Sequence, residues 1–268
     1  MEKNSAIGVF DSGMGGLTVA HAVKKLLPNE QLIYFGDSAH LHYGDKSAAT
    51  IQAYSVKICD VLLQQGCKVI LIACNSASAA AYDLVKAYVG SKSLVLNVID
   101  PVVAYLAKAY DKSNIGLIGT KQTVGSGVYH QKLKAAAPSS ALRALATPLL
   151  APMIEEGFHK NDISNQIIGE YLKQPDLTNI EALILGCTHY PLIKNQVVAF
   201  FDDSVEVIDS SDIVAKALYN LLSENDLLGV GKPNHDRFLV SDFTPSFEAA
   251  AKLFFQKEVA LEKHVLWE

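Results

Sequence analysis

Short runs of apolar residues alternate along the chain with longer segments in which apolar residues recur every three or four positions. The short runs are rich in β-branched residues and predict strands, whereas the longer segments predict amphipathic helices. The predicted strands are Ile7–Phe10, Gln31–Gly36, Val69–Ala73, Leu94–Val98, Ile115–Ile118, Ala182–Gly186, Val205–Ile208 and Phe238–Val240. The predicted helices include Leu17–Leu27, Ala48–Gln65, Ala77–Tyr88, Ile213–Leu222 and Pro245–Gln256. Strands that alternate with helices are typical of βαβ units, so the pattern predicts an α/β fold with mainly parallel sheets.

Two short segments of this pattern occur twice, at similar separations. Ile7–Phe10 is similar to Ile115–Ile118, and the strand that ends before Cys74 is similar to the strand that ends before Cys187. We therefore predict two pseudo-symmetric α/β domains that face each other across an active-site cleft. The first domain takes residues 1–97 and 210–268 and carries Asp11 and Cys74, and the second takes residues 98–209 and carries Cys187 and His189. Open α/β sheets bind their ligands at the carboxyl ends of strands, where both cysteines are expected.

Composition narrows the class of protein. Half of the 268 residues are apolar and 19% are charged, which indicates a sizeable core and excludes a disordered chain. A net charge of −5 argues against a surface for nucleic acid or anionic membranes. The chain has no run of about 18 apolar residues that could span a bilayer, and its first residues lack the pattern of a secretion signal. Its four cysteines contain no C-x-x-C pair, so we expect free thiols, no metal site and a cytoplasmic location.

The two strand-end cysteines are the first candidates for chemistry. Cys74 precedes an alanine-rich helix, whose N-terminal dipole is expected to lower the pKa of the thiol. Asn75 and Ser76 are predicted to cap that helix. Cys187 is followed two residues later by His189, a pairing that suits a thiol and its base. Each of these residues could instead be structural, but the occurrence of a cysteine at the same point in both halves favours function.

The other two cysteines have a different setting. Cys59 lies within a helical pattern and Cys67 leads into a strand, both among apolar neighbours. We predict that both are core thiols.

A glycine-rich turn, residues 11–16, joins the first strand to the first helix. Such a turn binds anions through its backbone N–H groups. Thr18 stands where a dinucleotide-binding turn has its third glycine, and the lysine of a P-loop is missing. The turn therefore favours a small carboxylate ligand bound near Ser12, and the alternative is a tight turn without a ligand.

Three segments together resemble the signature segments of bacterial glutamate racemases. They are Asp-Ser-Gly-x-Gly-Gly-Leu at 11–17, Ala-Cys-Asn-Ser-Ala-Ser-Ala at 73–79 and Gly-Cys-Thr-His-Tyr-Pro at 186–191. Shorter similarities at 36–44, at 120–123 and at 152–157 extend the resemblance over residues 6–265. The chain departs from the family at two positions, with Ser76 in place of the usual threonine and His42 in place of the usual proline. Ser76 keeps the hydroxyl, whereas His42 lacks the fixed φ of proline.

The resemblance implies a reaction and a set of residues. It implies cofactor-independent interconversion of L- and D-glutamate, in which Cys74 and Cys187 exchange the Cα proton from opposite faces. Asp11 is expected to assist Cys74, His189 to assist Cys187, and Glu155 to orient His189. The implied substrate-binding residues are Ser12, Tyr43, Gly44, Asn75, Ser76, Thr120, Thr123 and Thr188.

The resemblance also implies a biological setting. D-glutamate is needed for peptidoglycan and hence for the cell wall, and members are commonly homodimers. Some members carry an N-terminal extension linked to activation by a cell-wall precursor. The first predicted strand begins near residue 6, so we expect no such activation.

Other functions remain open at this point. An aspartate racemase or another enzyme of the same superfamily would share these motifs, although members with a single thiol lack one of the two cysteines. A non-catalytic binding protein on the same scaffold would bind ligand without exchanging the α-proton. A redox or zinc protein is a further alternative with little support from the spacing of the cysteines.

Overall fold

The computed structural model describes residues 1–243 and 245–267. In this part of the chain, ten strands form two sheets in which every strand pair is parallel. The strands are β1 (Ile7–Asp11), β2 (Leu32–Gly36), β3 (Val69–Ile72), β4 (Leu94–Asn97), β5 (Asn114–Gly119), β6 (Ala141–Ala146), β7 (Ala182–Gly186), β8 (Glu206–Ile208), β9 (Arg237–Val240) and β10 (Leu261–Lys263). The predicted α/β fold with mainly parallel sheets is confirmed.

Helices connect the strands. They are α1 (Leu17–Leu26), α2 (Ala48–Gln64), α3 (Asn75–Val89), α4 (Ile99–Ala109), α5 (Lys121–Gly125), α6 (Val128–Ala136), α7 (Leu150–Glu155), α8 (Asp162–Leu172), α9 (Lys194–Phe200), α10 (Ser210–Glu224) and α11 (Pro245–Phe255). Short 3₁₀ turns lie at Ser38–His40, Tyr43–Asp45, Pro175–Leu177 and Tyr190–Ile193. Because helices cover the sheets, strands such as β1, β3 and β7 are buried along their whole length, and Asp11 at the end of β1 is the one charged residue among them.

The order of the strands determines where the functional residues lie. The first sheet has the order β10-β9-β2-β1-β3-β4, and the second has the order β6-β5-β7-β8. In the first sheet Phe10 pairs with Ile72, so the residues that follow β1 and β3 emerge at the same edge. In the second sheet Gly119 pairs with Gly186, which brings the residues that follow β5 and β7 together in the same way.

The chain crosses between the sheets twice. It leaves the first sheet after β4, passes through α4 to β5 of the second sheet, and returns from β8 through α10 to β9. The two crossing helices contact each other. One apolar core includes Val9 of the first sheet, Leu117 of the second, and Val102 and Val214 of the crossing helices. Apolar packing therefore joins the two halves on the side of these helices.

All eight predicted strands are present, with ends within one residue of those predicted. Two further strands were not predicted, β6 and β10. Both lie at sheet edges. Every position of β6 is exposed or half-buried, and Arg143 interrupts its apolar residues. Strand β10 has three residues, two of them charged. Along the described residues, we find no helix of the length and apolarity needed to cross a bilayer.

Candidate active site

A narrow cavity lies between the carboxyl edges of the two sheets. Residues that follow β1 and β3 line one side, and residues that follow β5 and β7 line the other. The lining residues are Ser12, His42, Tyr43, Gly44, Cys74, Asn75, Ser76, Thr120, Ala151, Gly186, Cys187, Thr188 and His189. Ten of these residues belong to the set predicted from the sequence, and both candidate thiols are among them.

Three predicted residues lie behind the lining, each in contact with a residue of the cavity. The hydroxyl of Thr188 donates a hydrogen bond to Asp11 Oδ1 at 3.4 Å. The Thr123 hydroxyl lies 3.0 Å from that of Thr120. The third residue is Glu155, whose carboxylate meets the ring of His189. The structure thus brings all thirteen predicted site residues into one connected group.

Cys74 occupies the N-cap of α3. Its backbone is extended, and its Sγ accepts the Ala77 N–H at 3.4 Å. The prediction that Asn75 and Ser76 cap this helix is wrong, because the helical backbone begins at Asn75 and both residues lie in the first turn. The thiol donates to the Ser12 hydroxyl, with a sulfur–oxygen distance of 3.7 Å.

The predicted lowering of the pKa of Cys74 is also wrong. Burial, together with the negative charge of Asp11, raises the pKa of this thiol to about 12. The Ala77 N–H and the Ser12 hydroxyl favour the thiolate but offset only part of this effect. Desolvation therefore outweighs the helix terminus, and Cys74 is a thiol at neutral pH.

Asp11 ends β1 and is fully buried beside the glycine-rich turn. The Gly13 N–H donates to Asp11 Oδ2 at 3.0 Å. Burial raises the pKa of Asp11, although the positive charge of His189 and the N–H groups of Gly13 and Gly16 oppose the shift. Gly16 packs against this side chain so closely that an added Cβ would lie 2.4 Å from Asp11 Cβ.

On the other side of the cavity, Cys187 begins a chain of polar contacts. Its Sγ lies 3.6 Å from His189 Nδ1, and His189 Nε2 lies 2.7 Å from Glu155 Oε1. Burial disfavours the charged ring of His189, but the charge of Cys187 and hydrogen bonds from the ring to Cys187 and Glu155 outweigh it and raise the pKa of His189 well above its usual value. A positively charged ring therefore lies beside the sulfur of Cys187.

Glu155 ends α7 and has two histidine partners. Burial alone would raise its pKa, but hydrogen bonds from His189 and His42 lower it to about 2. His42 Nε2 lies 2.5 Å from Glu155 Oε2. Glu155 is therefore a carboxylate at neutral pH, and it accepts from one ring on each of its oxygens.

A cluster of hydroxyl and amide groups completes the cavity. The Ser76 hydroxyl lies 2.8 Å from that of Thr120. The Tyr129 hydroxyl donates to Asn75 Oδ1 at 2.8 Å. The other end of this amide, the buried Asn75 Nδ2, has no hydrogen-bond partner among residues 1–243 and 245–267. A buried donor of this kind is expected to have a ligand as its partner.

Tyr43 and Gly44 form the wall opposite Thr120. The Tyr43 hydroxyl donates to Asp37 Oδ2 at 2.6 Å, so this hydroxyl points away from the cavity and its ring lines the wall. An added Cβ at Gly44 would lie 2.7 Å from Thr120 Cβ. Glycine is therefore required for the close approach of the two halves at this point.

Three lining residues, His42, Ala151 and Gly186, are not in the set predicted from the sequence. Gly186 is the residue before Cys187 in one of the three signature segments. Ala151 in α7 carries no chemical signal that could have identified it. His42 did carry a signal, since it departs from the family pattern, but its contact with Glu155 joins residues 113 positions apart. The core positions predicted for Cys59 and Cys67 are confirmed, and all four cysteines are free thiols.

Comparison with known proteins identifies related chains. Residues 16–218 match the family described as Asp/Glu/Hydantoin racemase. The crystal structure of glutamate racemase from Francisella tularensis in complex with D-glutamate is 40% identical, with a TM-score of 0.93 and 98% of each chain covered. Glutamate racemase from Thermus thermophilus in complex with β-chloro-D-alanine is 35% identical, with a TM-score of 0.88 and 99% of each chain covered. The glutamate racemase of Chlorobium phaeobacteroides is 36% identical over 95% of this chain and 94% of its own length.

Proposed function

Because the chain belongs to the Asp/Glu/Hydantoin racemase family, it is a racemase, and we propose that it interconverts L- and D-glutamate without a cofactor. One observation carries the proposal. Cys74 follows β3, Cys187 follows the equivalent strand β7, and both line one cavity. Glutamate is the proposed substrate because the relatives that match nearly the whole chain are glutamate racemases.

Inversion at Cα needs a base on one face and an acid on the other. The thiolate of one cysteine removes the proton from Cα and leaves a planar carbanion, and the thiol of the other cysteine donates a proton to the opposite face. One proton leaves Cα and one arrives. After each turnover the two sulfurs have therefore exchanged protonation states, and the pair is ready for the opposite enantiomer.

The surroundings of the sulfurs support one starting state. Burial and Asp11 keep Cys74 as a thiol, since they raise its pKa to about 12. On the other side, His189, which Glu155 stabilises as an imidazolium, places a positive charge 3.6 Å from the sulfur of Cys187, and we propose that Cys187 is the sulfur that carries the negative charge. In this state Cys187 is the base and Cys74 the acid. Asp11 and His189 then assist the return of protons to and from their neighbouring sulfurs.

Hydrogen-bond donors around the cavity bind the substrate and stabilise the carbanion. The unpartnered Asn75 amide and the hydroxyls of Ser12, Ser76, Thr120 and Thr188 are suited to the two carboxylates of glutamate. Thr123 holds Thr120 from behind, whereas Tyr43 and Gly44 close the wall. Donors fixed before the reaction need no rearrangement as charge develops on the substrate.

The proposal extends to the setting of the enzyme. D-glutamate made by this reaction serves peptidoglycan synthesis. Two working thiols require a reducing compartment, which supports a cytoplasmic location. We further propose that residues 1–97 with 210–268 and residues 98–209 act as two domains, since the cavity lies between their sheets and glutamate enters when they separate. Homodimerisation stays a prediction from the resemblance.

Proton exchange in D₂O tests the two-thiol reaction. Wild type, Cys74→Ser and Cys187→Ser are incubated with L- or D-glutamate without added cofactor, and Cα deuterium is followed by NMR while circular dichroism follows racemisation. We expect wild type to place deuterium in the product enantiomer before it appears in the remaining substrate, because the two sulfurs act from opposite faces. Each serine variant should racemise at least about a hundredfold more slowly, as is common for the loss of an acid or base.

Cys59→Ala is the matched control, because it removes a buried thiol outside the cavity and should retain racemisation. Exchange with aspartate but not with glutamate would contradict the proposed substrate. Exchange with neither amino acid would favour a binding protein on this scaffold. Racemisation that survives in either serine variant would contradict the two-thiol mechanism.

A further inference from the structure

The carboxylate of Glu155 joins two histidines that come from opposite halves of the molecule. His189 follows β7 of the second sheet and lies 2.7 Å from Glu155 Oε1. His42 belongs to the segment between β2 and α2 of the first half and lies 2.5 Å from Glu155 Oε2. A continuous series of contacts thus runs from Cys187 through His189 and Glu155 to His42.

The direction of these hydrogen bonds follows from the charge of Glu155. A carboxylate has no proton to donate, so the Nε2 atom of each histidine must carry a hydrogen and donate it. The Glu155 side chain is 19% exposed and that of His42 is 36% exposed. His42 therefore separates the Glu155 carboxylate from solvent at the mouth of the cavity.

Other charged groups near this point have different partners. Cys187 Sγ lies 3.6 Å from His189 Nδ1, and Asp11 interacts with His189 through its charge. At the outer side, Asp45 of the His42 segment pairs with Lys121 of α5 at 3.0 Å, and both side chains are more than half exposed. Both pairs cross between the two halves. Of the two, only the pair His42–Glu155 contacts His189; Cys187, His189 and Glu155 are called the proton-transfer group of Cys187 below.

We propose that His42 is a positioning residue for the racemisation proposed above, which fixes the Glu155 carboxylate against His189 and so completes the proton-transfer group of Cys187 from the opposite half. A carboxylate held at both oxygens has its plane defined, whereas one held at a single oxygen can rotate towards water. Because the contact crosses the cleft, opening the cleft breaks it. The Cys187 group is therefore complete when the cleft is closed.

The arrangement depends on the residue type at position 42. Proline carries no side-chain donor and could not hold Glu155 in this way. Glutamine can donate from about the same distance but stays neutral. Alanine removes the donor and opens the mouth of the cavity to water.

The test compares His42→Ala, His42→Gln and wild type, with Lys121→Ala as the matched control. Lys121→Ala removes the neighbouring exposed pair across the cleft and leaves Glu155 untouched. For each protein, kcat and KM are measured for both enantiomers between pH 6 and 10. The pKa of His189 is measured directly by NMR titration of ¹⁵N-labelled imidazoles, with His189→Gln to assign the signal.

We expect His42→Ala to lower kcat about tenfold, the effect of losing one charge-assisted hydrogen bond. In this variant the alkaline limb of the pH profile of kcat and the pKa of His189 should both move to lower pH. The reason is that a mobile, hydrated Glu155 stabilises the His189 imidazolium less. His42→Gln should restore most of kcat and most of the titration shift. Lys121→Ala should leave the pKa of His189 at its wild-type value, because an exposed ion pair such as Lys121–Asp45 contributes little free energy.

Several outcomes overturn the inference. An unchanged titration in His42→Ala would show that Glu155 does not need His42, and a shift to higher pH would show that the two histidines compete for Glu155. Equal behaviour of His42→Gln and His42→Ala would also contradict the role of the donor. If wild type does not racemise glutamate, the proposed function fails, and the NMR titration still decides the role of His42.

Discussion

The two thiol sites occupy equivalent points of two similar sheets but have opposite surroundings. Cys74 has a hydroxyl and a backbone N–H as neighbours, and the buried Asp11 repels its thiolate. Cys187 has His189 as its neighbour, backed by Glu155. The repeated strands therefore set the positions of the two sulfurs, whereas the side chains around them set the charge that each sulfur faces.

The difference between the neighbours of Cys74 and those of Cys187 suits the proposed reaction. A racemase needs one base and one acid at the same moment, and two sulfurs in identical surroundings would favour the same protonation state. In the proposed reaction, an anionic neighbour on one side and a cationic neighbour on the other favour opposite protonation states of the two sulfurs. The three predictions that follow test this contrast between the Cys74 side and the Cys187 side.

The largest expected difference is in the reactivity of the two thiols. At pH 7.5, iodoacetamide should alkylate Cys187 at least about a hundredfold faster than Cys74, since the thiolate is the reactive form. The two residues are similarly accessible, at 7% and 5% exposed, so access alone does not separate them. Peptide mapping by mass spectrometry gives the rate at each site.

Two other cysteines serve as internal controls for this measurement. Burial raises the pKa of Cys59 and of Cys67 to about 12, and neither lines the cavity. Both should react as slowly as Cys74 or more slowly. Equal rates at Cys74 and Cys187 would refute the assignment of acid and base.

A pair of adjacent glycines allows each side to be disturbed separately. A Cβ added at Gly15 would lie 2.5 Å from the ring of His189 and 2.5 Å from Thr188 Oγ1, and one added at Gly16 would lie 2.4 Å from Asp11 Cβ. We expect Gly15→Ala and Gly16→Ala each to lower kcat about tenfold, because a small displacement of a catalytic group has a large effect on rate. Gly15→Ala should also reduce the fast alkylation of Cys187, whereas Gly16→Ala should not.

Gly169→Ala in α8 is the control for these substitutions. A Cβ at Gly169 makes an ordinary contact 4.0 Å from Phe200, so this variant should keep wild-type kcat and alkylation. If Gly16→Ala slowed the alkylation of Cys187 as much as Gly15→Ala does, the prediction that the Cys74 side and the Cys187 side can be disturbed independently would be contradicted.

The smallest predicted effect is on the free energy of unfolding. Its sign is opposite for Asp11, on the Cys74 side, and for Glu155, on the Cys187 side. Asp11 has a folded-state pKa above its unfolded value, so its charge destabilises the fold above about pH 4. Glu155 has a lowered pKa of about 2, so its charge stabilises the fold above its unfolded value of 4.5, and this stabilisation fades as pH falls towards 2. At pH 7, Asp11→Asn should raise the free energy of unfolding by about 1 kcal/mol, and Glu155→Gln should lower it by about 1 kcal/mol.

Urea denaturation at pH 7 and pH 3.5 checks both signs. Each difference from wild type should be smaller at pH 3.5, because the carboxyl groups are then largely protonated in the unfolded chain. If Asp11→Asn and Glu155→Gln changed the free energy of unfolding at pH 7 in the same direction, the predicted difference between the two carboxylates would be contradicted.

Much of this molecule could be predicted from its sequence because the information is local. Buried parallel strands are continuous apolar runs, so strands such as β1 and β7 were found within one residue. The edge strand β6 was missed because half-exposed positions give no such run. The two cysteines were found because each follows a strand directly, and parallel strands bring such residues to one edge. Residues such as Tyr43, Thr123 and Glu155 do not follow strands directly and were found through the resemblance to glutamate racemases.

The parts that could not be predicted depend on packing between distant segments. The pKa of Cys74 is raised because the folded chain buries it beside Asp11, which outweighs the local effect of the helix. The N-cap of α3 depends on backbone angles at Cys74 that residue types alone did not reveal. The contact of His42 with Glu155 joins two loops of opposite halves, and no local pattern contains it.

The double crossing of the chain through α4 and α10 has a mechanical consequence. A body attached to another at one point can turn in any direction, but one attached at two points rotates about the line that joins them. If the halves separate as proposed above, we expect them to rotate about one axis along the contacting helices. Such a rotation would return the two sulfurs to the same alignment at every closure, so each cycle of the proposed reaction would present the two faces of Cα to the same pair of groups.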